Sequence, residues 1–168
     1  MTSRGLVRRL LGGGSRGVGG TVYGTVLAMA VLAAGAAEHL GPRQLLALVA
    51  VTATVIWVAH VYAHGLGESI ERQHRLTWDE LSAIAGRELP ILLAAAAPTA
   101  TLLLGALGLI GEQADIWLAF GVGLAALALQ GARYARVERL GILGTTLVIT
   151  ANLALGGIVV ALKVLVGH

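Results

Sequence analysis

The chain has 168 residues, 57% of them hydrophobic and only 12% charged, with a net charge of +3 and a mean hydropathy of +0.82. A soluble domain carries about 25% charged residues, so there is too little polar surface here to cover a water-soluble globule. The absence of cysteine excludes disulfides, thiolate metal sites and thiol catalysis. The positive charge, spread through loops with few aromatics beside it, does not form a nucleic-acid surface.

In chain order, residues 1–18 read as a basic, glycine-rich cytoplasmic arm. Its "LGGGSRGVGG" at 11–20 lacks a Walker lysine and follows no strand, so it suits anionic lipid better than a nucleotide. The arginine-rich start, the following apolar stretch and "AAGAAE" at 33–38 also fit a cleaved signal over 1–37, and Arg8-Arg9 evoke a twin-arginine signal. The apolar stretch exceeds an h-region of about 7–15 residues, and neither Phe nor Lys follows the arginine pair. An uncleaved first span is the expectation.

Five apolar segments follow, at about 19–37, 43–66, 89–110, 116–133 and 141–164. Most are near 20 residues, the length that crosses a hydrocarbon core of about 30 Å. They are continuous rather than alternating, and rich in Ala, Leu and Gly, which predicts helices and not strands. The expected fold is all-α: a single polytopic membrane domain of five transmembrane helices over 19–168. Its longest connector, 67–88, starts polar and turns weakly amphipathic at Leu76, Leu81 and Ile84. It predicts an extension of span two and a short interfacial helix, capped by Thr77 with Glu80 three residues on. Pro98 predicts a kink in span three. Small residues (Gly105 and Gly108, Gly121 and Gly123, Gly156 and Gly157, Ala94 to Ala97) mark helix contacts, within one chain or between copies.

Loop charges set the orientation, because Lys and Arg favour cytoplasmic loops. Arg4, Arg8, Arg9 and Arg16 precede span one; Arg72, Arg75 and Arg87 lie between spans two and three; Arg133, Arg136 and Arg139 lie between four and five. Only Arg43 and Lys163 fall on the other side. The N-terminus is therefore expected inside and the C-terminus outside, in the inner membrane of a bacterium.

The chemistry-bearing stretch is "WVAHVYAHGLGESIERQHR" at 57–75. At helical spacing His60, His64, Glu68, Glu71 and His74 share a sector of about 120°, provided the helix runs on through Gly65 and Gly67. Tyr23 and Thr25 in "VYGTV", Glu88, Gln130, Arg133, Tyr134, Thr145 and Thr146 fall in the same cytoplasmic layer. Ionisable groups at membrane depth face a bundle interior or a wet cavity. Three readings stay open. In the first, the histidines only pin helices through hydrogen bonds. In the second, they form a proton or cation path with Glu68, lined by Tyr23, Thr25 and Glu88, since histidine changes charge between pH 5 and 8. In the third, His60, His64 and Glu68 hold a divalent metal (Zn, Mn or Fe), with Glu88 in reserve. His39 and His168 stand alone. No Gly-x-Ser-x-Gly or HExxH is present, so the expectation leans away from an enzyme.

"VYGTVLAMAVLA" at 22–33, "VIWVAHVYAHGLGE" at 55–68 and "RELPILLAAAAP" at 87–98 resemble a family of small uncharacterised integral membrane proteins of actinobacteria. That resemblance implies a fold and no activity. The chain is also distantly similar to the lysosomal-type potassium channel family. There a polar tripeptide near the cytoplasmic start of span one faces a Trp/His-bearing span two; here the tripeptide is Tyr23-Gly24-Thr25 in place of Phe-Ser-Asp, and the span count differs. The second resemblance favours proton or cation permeation, and the small-residue faces favour a homo-oligomer or membrane complex. A metal-binding membrane protein and an accessory subunit without chemistry are the alternatives.

Overall fold

A computed structural model describes residues 15–166, and these are helical apart from short connectors. The helices are α1 (Ser15–Ala37), α2 (Pro42–Arg72), α3 (Trp78–Ala94), α4 (Ala96–Ala106), α5 (Glu112–Val137) and α6 (Ile142–Val166). Of the arm expected at 1–18, residues 1–14 lie outside the described residues, and the remainder begins α1. Arg4, Arg8 and Arg9 are among the residues outside.

Four helices (α1, α2, α5 and α6) are long and apolar enough to cross a membrane, and α3 with α4 makes a fifth candidate if the bent pair is one span. This is the helix complement of a membrane protein. The surface agrees: Val51, Val55, Val58 and Tyr62 on α2, and Leu143, Leu147, Ile158 and Leu162 on α6, are all exposed. A soluble monomer does not carry apolar faces of that extent.

Helix α1 lies at the centre and packs against α2, α3, α5 and α6, while α4 bridges α2 and α5. The core gathers Met29 and Leu32 from α1, Leu45 and Val49 from α2, Leu102 from α4, and Phe120 and Leu127 from α5. In lipid, close packing replaces the hydrophobic drive between helices. Gly24 shows how: a Cβ there would collide with the Ile91 backbone and stand 2.9 Å from the Ala94 Cβ, so only glycine lets α3 approach α1 so closely.

Two expectations about the third span change in detail. The amphipathic piece and the apolar run are one helix from Trp78, and the break falls at Ala95, where α3 and α4 meet at 47°. Pro98 explains the position: it has no N–H for the Ala94 carbonyl and its ring crowds it. The Thr101 hydroxyl donates to the Pro98 carbonyl at 2.7 Å. The cap at Thr77 forms as expected, with the Glu80 N–H donating to Thr77 Oγ1 at 3.3 Å and the Thr77 N–H to Glu80 Oε2 at 2.8 Å. The Thr77 N–H first, and second the Thr77 hydroxyl, which donates to Glu80 Oε2 at 3.0 Å, hold the half-buried Glu80 carboxyl below its usual range.

Candidate functional site

Helix α2 runs unbroken for 31 residues through Gly65 and Gly67 and ends at Arg72. At 1.5 Å per residue it is about 46 Å long, well over the hydrocarbon thickness, so its polar end projects from the apolar layer. His60, His64 and Glu68 accordingly stand one turn apart along one helix. His74 does not continue the row, because Gln73 takes a left-handed backbone and closes the helix first.

The two imidazoles bond back to their own helix. His60 Nδ1 lies 3.0 Å from the Ile56 carbonyl and His64 Nδ1 lies 3.1 Å from the His60 carbonyl. A carbonyl only accepts, so each Nδ1 carries the proton and each Nε2 is left as the basic atom. The rings are 6.3 Å apart, and the Tyr23 ring from α1 lies 5.3 Å from that of His60. From α3, Glu88 brings Oε1 to 3.3 Å from His64 Nδ1. The donor therefore faces a backbone carbonyl and a carboxylate together. Tyr23, His60, His64 and Glu88 thus form one line over three helices, and Trp57 fixes the α2–α3 spacing by donating its indole N–H to the Ala85 carbonyl at 3.2 Å.

Glu68 belongs to a different group. Its carboxylate is taken by the guanidiniums of Arg87 and Arg72, and Arg72 also reaches Glu80 at 2.7 Å. These pairs tie the end of α2 to the start of α3 and mark the water-facing end of the bundle. Among the described residues no three His, Asp or Glu side chains gather closely enough to hold a metal ion. The His60, His64, Glu68 ligand set is thus not assembled, because arginines occupy the glutamate and the histidines turn Nδ1 to the backbone.

Thr25, Thr146 and Gln130 do not join the line. Thr25 is fully buried, but its hydroxyl donates to the Thr21 carbonyl of its own helix at 2.8 Å. Thr146 donates to the Ile142 carbonyl, and α6 packs on α1 and α5 away from α2. Gln130 is buried with its amide oxygen unpartnered. Below the line, α1, α2 and α3 leave a narrow apolar cleft of about 10 Å³, lined by Gly24, Ala28, Val49, Thr52, Ile56 and Ile91 among others. That is room for about one water.

Sequence spacing located the histidine row. It could not single out Glu88 as the acid that meets it, since that depends on α3 folding back along α2. It also missed the arginine clamp on Glu68, although acids and arginines on either side of a helical hairpin are a usable signal. No protein-family model, curated protein or solved structure matches the chain.

Proposed function

We propose that the chain is a five-span protein of a bacterial inner membrane, N-terminus inside, that passes protons, or cations exchanging with them, through the line Glu88, His64, His60 and Tyr23. The observation that carries this reading is the His64–Glu88 contact at 3.3 Å, with the His60 and Tyr23 rings in tilted contact one turn deeper. A proton arriving at His64 Nε2 makes the ring a cation, and its Nδ1–H then faces the Glu88 carboxylate as an ion pair. The next basic atom is Nε2 of His60. Glu68 anchors the two helices and leaves Glu88 as the working acid; Thr25 holds its own helix.

Beyond His60 the cleft admits about one water, and the His64 side chain is 57% exposed on the outside of the chain. A route through the membrane therefore needs a second copy against α2, which agrees with that helix's uncovered apolar face.

The test is proton flux into liposomes holding purified protein and a pH dye, driven by a potassium diffusion potential. Wild type should acidify or alkalinise the lumen with the imposed potential. His60→Ala/His64→Ala should lower the rate about tenfold or more, and Glu88→Gln should lower it while leaving the protein folded. A wild-type rate equal to that of protein-free liposomes would sink the reading.

A further inference from the structure

At the end of the bundle opposite the histidines, Asp115 is fully buried in the first turn of α5, and neither of its carboxylate oxygens has a hydrogen-bond partner. Its carboxyl lies directly on the Cα of Gly105 in the last turn of α4, where any Cβ would overlap it. An ionised carboxylate in that position would lack solvent and partner alike, which costs several kcal/mol. The neutral acid has no such penalty.

The charges around it do not alter this. Helix α4 carries no titratable side chain, and its C-terminal end is the negative pole of its dipole, facing the carboxyl. The N-terminal pole of α5 acts in the opposite sense, yet none of its N–H groups reaches the carboxyl. From α2, Arg43 donates Nε to the Ala106 carbonyl at 3.3 Å. From α6, Lys163 sits over the Trp117 ring at 5.0 Å. Glu38 and His39, after α1, and Glu112, one turn back on α5, are exposed. None of them pairs with Asp115.

We propose that Asp115 is a proton-binding site, holding its proton while seated on Gly105 and releasing it when α4 and α5 part. On release the O–H bond breaks, the proton passes to entering water, and the carboxylate stays on the chain. Gly108 N–H on the Gly105 carbonyl at 2.9 Å and Leu109 N–H on the Leu104 carbonyl at 3.0 Å close the end of α4, and neither bond reaches α5. Parting swings α4 about the break at Ala95 and flexes the connector 109–111 beside Asp115. The inference stands without the histidine line; if both hold, the bundle carries a proton acceptor at each end.

The full chain in lipid nanodiscs provides the test. Infrared spectra at neutral pH should show a carboxylic-acid carbonyl band that Asp115→Asn removes and Glu112→Gln keeps. Dicyclohexylcarbodiimide, which attacks protonated carboxyls in apolar surroundings, should label Asp115 about tenfold or more above Glu112. Gly105→Ala should unseat the carboxyl, with loss of both signals. No acid band and no labelling of Asp115 in folded wild type would overturn the proposal, and these need no variant to fold. Protection from labelling by sodium at constant pH would also overturn it, in favour of a metal-cation site.

Discussion

His39, Gln73 and Arg139 close α1, α2 and α5 with φ of 56°, 54° and 52°, a left-handed backbone that only glycine adopts freely. After α1 and α5 a leucine follows, with Leu40 N–H on the Gly35 carbonyl at 3.1 Å and Leu140 N–H on the Ala135 carbonyl at 2.9 Å. That bond defines the Schellman ending and holds the strained residue in place. The cost of each non-glycine cap is about 1 kcal/mol. Gln73→Gly should therefore raise stability by about 1 kcal/mol, and Gln73→Val should lower it. Unfolding midpoints in mixed micelles would show this, and equal midpoints for both variants would contradict the strain. The same residues explain what was illegible at this scale. The extension of α2 past its apolar run was legible in the connector, but without glycine at the cap no local signal said that it stops before His74. The Thr77–Glu80 cap was readable because its chemistry is local, and Glu88 was not assignable to His64 because that contact joins residues 24 apart in sequence.

The broken pair α3 and α4 is where element-level reading was right in kind and coarse in place. A proline in a membrane helix announces a kink, but its effect appears three to four residues earlier, where the carbonyl loses its donor. The span also begins earlier than hydropathy suggests, since Trp78 to Glu88 is helical without being apolar. Pro98→Ala restores the donor and should straighten the pair. Spin labels at Ala83 and Leu104, both exposed, should then move apart by about 2–3 Å, from the rise per residue and loss of the bend. Pulsed dipolar spectroscopy resolves that change. An unaltered distance would assign the bend to packing against α2 and α5, and would remove the hinge that release from Asp115 requires.

For the molecule as a whole, the number of crossings turns on whether α3 and α4 together traverse the membrane or dip in and return. From Leu89 to Ala106 the pair measures about 27 Å along its axis, short of a core of about 30 Å, so a crossing also draws on the turn of α3 that precedes Leu89. The charges favour crossing. Arg72, Arg75 and Arg87 stand before the apolar part of the pair, whereas the connector after it is uncharged and the first turn of α5 holds only Glu112 and Asp115. A re-entrant pair would put the basic connector and the Asp115 end on one face, with the His64–Glu88 contact and Asp115 at the same surface. The chain has no native cysteine, so a single introduced thiol reports its own side. Ser82→Cys and Gln113→Cys, both exposed, should react oppositely with an impermeant maleimide applied to intact bacterial spheroplasts. Gln113→Cys should label at once, and Ser82→Cys only after permeabilisation. The reverse pattern would invert the orientation and put the histidine line outside. Labelling of both from one side would establish four crossings, and a proton route joining opposite ends of the bundle would then have no membrane to cross.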